Sequence, residues 1–94
     1  MSLFEFDPAK DEINRVKHGL PLGMGDEVFD QHFIEEEDRR FDYEETRFVA
    51  FGPVASQDDR ICATVYTWRG PIRRLISFRK ANDEEVDRYR QSDR

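Results

Sequence analysis

Residues Arg60 to Ala81, RICATVYTWRGPIRRLISFRKA, hold six basic side chains (Arg60, Arg69, Arg73, Arg74, Arg79 and Lys80) and no acid, in a chain whose net charge is −6. A guanidinium fork matches pairs of phosphate oxygens, so this concentration of arginine points to anion binding, with RNA as the favoured polyanion. Under the two-residue period of a strand, Ile72, Arg74, Ile76 and Phe78 share one face, and Arg73, Leu75, Ser77 and Arg79 the other. Arg74 is the one charge on the first face, where a permanently ionised group must find a partner or open onto a cleft. Outside the stretch, His18 titrates near neutral pH. Lys17-His18-Gly19 fits two roles equally: a helix ending, where cations and a terminal Gly are favoured, or part of a site. The single cysteine, Cys62, and two histidines without ligand spacing give no metal site, and no Gly-rich phosphate loop is present. No cofactor is expected.

The elements that would position these residues are readable in part. Ile61, Thr64, Val65, Tyr66, Thr67 and Trp68 suit a pleated, half-buried strand, Gly70-Pro71 breaks it, and residues 72–78 form its partner. Residues 46–54 form another strand, with Phe48 and Ala50 facing one way and Arg47, Val49 and Phe51 the other. Residues 33–40 form a charged edge strand, and residues 41–45 a turn. Leu3-Phe4-Glu5-Phe6 is a short strand candidate. Asp7 caps and Pro8 opens a helix to His18, with Ala9, Ile13, Val16 and Leu20 as its apolar stripe. A second short helix is expected over residues 21–30, weakened by Gly23 and Gly25. Asn82 and Glu85 frame a capping box for a last helix, which packs through Val86 and Tyr89. The fold class is therefore α+β: an antiparallel sheet of about four strands, two N-terminal helices covering it, and one C-terminal helix. Phe6, Ile13, Val28, Phe29, Val65 and Ile76 are the expected core.

Ninety-four residues make one domain, 1–94, large enough for one modest core. Charge is uneven: residues 1–59 hold 16 acids and 6 bases, whereas residues 60–94 hold 9 bases and 5 acids. Global acidity disfavours broad DNA coating but leaves room for a local anion site. No signal peptide or long apolar run is visible, so a cytoplasmic protein without membrane contact is expected.

Phe4-Glu5-Phe6-Asp7-Pro8, Lys17-His18-Gly19, Val28-Phe29-Asp30, Asp42-Tyr43 with Glu45-x-Arg47, and Ile76-Ser77-x-Arg79-x-Ala81 occur in that order. In this the chain resembles the BrnT family of bacterial ribonuclease toxins, over about residues 4–89. The resemblance implies a RelE-like α+β fold and metal-independent RNA cleavage that stops translation. It also implies a BrnA-like antitoxin partner with a ribbon-helix-helix part, so that DNA is met only through the antitoxin. A homodimer is left open. Pro21-Leu22-Gly23-Met24-Gly25 stands where the family has a small polar cap, and Glu44 where it has Gly.

Cleaving RNA without a metal requires deprotonating a 2′-hydroxyl, stabilising a dianionic phosphorane and protonating the leaving oxygen. Beside the resemblance, the catalytic candidates are Arg47, Arg74 and Arg79 for charge stabilisation, His18 for proton transfer, and Glu45 as base or as orienter of Arg47. Which is general base and which general acid stays open, and Glu45 with Arg47 reads equally well as a structural ion pair. Lys17, Arg73 and Lys80 are RNA-binding candidates. Two other classes compete. One is a non-catalytic module whose basic sheet face docks an acidic partner. The other, a direct DNA-binding regulator, is disfavoured because no basic recognition helix is present.

Overall fold

A computed structural model describes residues 3–39 and 44–92. In chain order the elements are β1 (Phe4–Phe6), α1 (Pro8–His18), a 3-10 segment (Leu22–Asp30), β2 (Ile34–Glu37), β3 (Phe48–Val54), a short 3-10 turn (Ala55–Gln57), β4 (Arg60–Arg69), β5 (Ile72–Lys80) and α2 (Asp83–Ser92). The strands form one sheet in the order β1-β5-β4-β3-β2. The four later strands are an antiparallel meander, as their composition predicts. The sheet has five strands, however, and is mixed: β1 pairs in parallel with β5, Glu5 opposite Arg74. Asp42-Tyr43 and most of the turn expected at residues 41–45 lie outside the described residues.

The caps form where their residue types place them. The Asp7 carboxylate accepts from the Ala9 N–H at 2.9 Å, and Gly19 closes α1 at φ 72°, a left-handed conformation that costs glycine nothing. Asn82 and Glu85 exchange side-chain and backbone hydrogen bonds, both 2.9 Å, at the start of α2. The segment after α1 tightens into a 3-10 helix. There Gly25 lies so close to β4 and β5 that a Cβ would meet Thr64 Oγ1 at 2.9 Å, and Thr64 donates to the Gly25 carbonyl at 2.8 Å. The segment's first free N–H, that of Leu22, donates to Asp11 at 2.8 Å; this bond and the Arg15 side chain hold the Asp11 carboxyl low.

Two apolar clusters sandwich the sheet. On one face Leu20, Leu22 and Val28 pack over Ala50, Val54, Cys62, Tyr66, Leu75 and Phe78, with Phe6 and Phe29 at the margin. On the other, Val49, Phe51, Ala63 and Val65 form a smaller layer with Ile76 against it. Val28 and Val65 are buried as expected, and Phe6, Phe29 and Ile76 are half-buried. The expected place of Ile13 in the core is wrong: it is 58% exposed, and Val16 is 85% exposed. The 3-10 segment, rather than α1, covers the sheet. α1 lies along the free edge of β5, where its one buried residue is polar: Asn14 bonds the N–H and C=O of Phe78, both at 2.9 Å, and the Leu20 carbonyl at 2.8 Å. β1 is too short to pair the whole of β5, and Asn14 supplies the missing edge bonds beyond it.

Candidate functional site

The second face of the sheet carries the site, because the strand alternation of β5 slips once. Val65 pairs with Ser77 and Tyr66 with Leu75, so Ile76 is the extra residue of a β-bulge. Before the bulge Leu75 faces the main core; after it Phe78 does. Arg74, Ile76, Ser77 and Arg79 consequently all reach the opposite face, where they line two adjoining clefts with Arg47 and Ile76 common to both. Strict alternation, which put Arg74 with Phe78 and Arg79 on the other side, is overturned by this one residue.

The first cleft, about 210 Å³, has Val65 and Ile76 as its aliphatic floor and Lys17, His18, Arg47 and Arg79 at its walls, with Ser77 and Asp38 between them. α1 positions Lys17 and His18 because Asn14 clamps the helix to β5. Partial burial first, then the charges of Lys17 and Arg79, lower the His18 pKa from 6.5, so the imidazole is neutral at physiological pH and free to accept a proton. Arg79 makes a two-pronged ion pair with Glu85 at 2.7 and 2.9 Å. Burial alone would raise the Glu85 carboxyl, but Arg79 and the Asn82 N–H outweigh it and hold it below its ordinary 4.5. A depressed carboxyl stabilises the fold above its unfolded pKa, and this is lost as pH falls through the folded value. Melting temperature should therefore fall as pH drops below about 4.5, and Glu85→Gln should flatten part of that fall; an unchanged acid profile would refute the pair's role.

The second cleft, about 190 Å³, extends the first past Arg47 to Arg74, Arg69 and Lys10, with Glu45 and Asp7 on its rim. Arg74 pairs with Glu5 across the β1–β5 junction, both side chains partly exposed. Glu45 reaches Arg69 at 3.9 Å, a long, half-exposed contact. Pairs of this kind contribute about 0–1 kcal/mol. Arg74→Lys should therefore shift stability by no more than about 1 kcal/mol in denaturant titration; a larger loss would make Arg74 chiefly a scaffold residue.

The structure thus brings together His18, Lys17, Arg47 and Arg79, with Arg74 and Glu45 in the adjoining cleft. It does not bring Arg73 and Lys80 to them. Arg73 lies on the opposite face, stacked over Phe29 at 3.9 Å and Trp68 at 4.7 Å. Lys80 pairs with Cys62 and shares its side of the sheet. There burial pushes the Cys62 thiol up, which fits a structural cysteine. Tyr66 is likewise structural: burial, then its bond to Glu35, pushes the phenol up to about 12. The sequence singled out none of Lys10, Asp38 and Ser77. Only Ser77 carried a signal, its place inside Ile76-Ser77-x-Arg79.

A small α+β protein with a mixed five-stranded sheet and a cationic, histidine-bearing cleft is thereby defined. A family model described as the ribonuclease toxin BrnT of a type II toxin-antitoxin system matches residues 6–85, and the chain belongs to that family. Among solved structures it is similar to the 1.1 Å crystal structure of the Brucella abortus ribonuclease toxin BrnT. The TM-score is 0.64 at 24% identity, over 88% of this chain and 100% of that one, a likeness that shows the fold. No curated protein matches the chain. No helix among the described residues is long and apolar enough to cross a membrane.

Proposed function

We propose that this chain is an endoribonuclease that cleaves RNA without a metal ion, stops translation in the cytoplasm, and is neutralised by a BrnA-like ribbon-helix-helix antitoxin. The observation that carries the reading is the convergence of a neutral histidine with cations at one cleft: His18, Lys17, Arg47 and Arg79 around an aliphatic floor. His18 takes the proton of the attacking 2′-hydroxyl, which needs a free imidazole; the 2′-oxygen bonds phosphorus as the P–O5′ bond breaks, leaving a 2′,3′-cyclic phosphate and a 5′-oxygen that takes its proton from water. Arg47 offers its fork to the phosphorane oxygens, and Lys17 adds a point charge beside it. Arg79, braced by Glu85, fixes the field from the far wall. The adjoining cleft, with Arg74, Arg69 and Lys10, receives the neighbouring phosphate of the strand.

One observation favours the competing reading, a non-catalytic module that docks an acidic partner: Arg74 and Arg79 already hold carboxylates, as scaffold residues do. Induced expression separates the two. The ribonuclease arrests growth and His18→Gln relieves the arrest; a docking module arrests nothing, or does so equally with and without His18.

A further inference from the structure

We infer that the exposed apolar face of α1 is the seat of the protein antitoxin, which lays an amphipathic helix along Ala9, Ile13 and Val16 and sets an acidic side chain on Lys17. Ile13, expected in the core, and Val16, on the same apolar stripe, are left outside by the fold, 58% and 85% exposed. Their spacing, 9-13-16, is the i, i+4, i+7 stripe through which one helix meets another. Together with Glu12 and Lys17 they form one shallow, largely apolar surface that no other element of the described chain enters. On the same helix Arg15 is already paired with Asp11 at 3.0 Å.

The occupant follows from two further observations. A type II system, to which the family belongs, pairs its toxin with a protein, so a partner surface is required. Lys17 borders both the apolar face and the cleft that holds His18 and Arg47. A helix seated on Val16 with a carboxylate at Lys17 thus removes a cation from the phosphate site and overhangs its mouth. This last clause rests on the proposed cleavage cleft; the docking surface itself does not. A second copy is the chief rival, since two antiparallel α1 helices would set Ile13 against Val16 and Glu12 against Lys17. A pair of 11-residue helices ends where α1 ends, short of the about 1,200 Å² a stable interface needs, whereas an antitoxin can continue past Lys17 over the cleft.

The test uses the purified chain and a BrnA-like antitoxin, with binding measured by calorimetry. The Ile13→Gln/Val16→Arg double variant replaces exposed side chains with good helix formers and puts a cation near a helix C-terminus, where it is tolerated; Val16→Gln alone is the milder companion. The double variant should melt like the wild type, cleave RNA like the wild type, and bind antitoxin at least about 30-fold more weakly, the loss expected of a hot-spot pair. Affinity within about 3-fold of wild type in both variants would overturn the proposal. So would a wild-type dimer that the variants split while antitoxin affinity stays unchanged, which would assign the face to a second copy. Failure of the wild type to cleave RNA would count against the cleavage reading and leave the binding result to stand or fall alone.

Discussion

Asn14→Ala should destabilise the protein by about 3–4 kcal/mol, a drop of more than about 10 °C in melting temperature for a chain of this size. The truncation removes one small side chain but orphans three backbone groups, the N–H and C=O of Phe78 and the C=O of Leu20. Phe78 itself is fully buried, so water reaches these groups poorly, and each unsatisfied group costs about 1–3 kcal/mol. Asn14→Asp should be nearly as damaging: the carboxylate still accepts from the Phe78 N–H but has no donor for the two carbonyls. Because Asn14 also anchors the helix that presents Lys17 and His18, activity should fall in step with stability. A melting temperature within about 2 °C of wild type would show that β5 keeps its edge without α1.

His18→Gln should lower RNA cleavage by about 10²–10⁴-fold with the fold intact, the range for a lost general acid or base. His18 is pushed below 6.5 by burial and by the charges of Lys17 and Arg79, so its base form is populated at neutral pH. The wild-type rate should therefore rise with pH through that lowered value and level off above it, and the glutamine variant should lack this acid limb. Cleavage by the variant at the wild-type rate, with the limb unchanged, would remove His18 from the chemistry.

Local signals were legible in the sequence, and long-range ones were not. Asp7-Pro8, Gly19 and the Asn82–Glu85 box act through neighbours in the chain, and each cap formed where its residues stand. The strands were legible because β-branched and aromatic residues cluster in them. Two failures share one cause, that tertiary contacts override a local period. The stripe of Ala9, Ile13 and Val16 reads as a buried face, yet a polar residue beside it, Asn14, bonds the stretch of the β5 edge that β1 does not reach. The bulge at Ile76 then moved Phe78 to the opposite face from Arg74. Of the site, the charged residue types and the arginine-rich strand were readable. The pairing of Arg74 with Glu5, 69 positions away, was not, nor was the separation of Arg73 and Lys80 from the cleft.

Cleavage of RNA by the cleft's own side chains through the 2′-hydroxyl fixes the ends of the products formed in EDTA. Purified protein is incubated with a defined RNA and excess chelator, and the fragments are read by mass spectrometry. Cleavage should proceed at the rate seen without chelator, with 2′,3′-cyclic phosphate on one fragment and a free 5′-hydroxyl on the other. RNA that stays intact in EDTA and is cut once magnesium is restored, or fragments that carry 5′-phosphates, would contradict it.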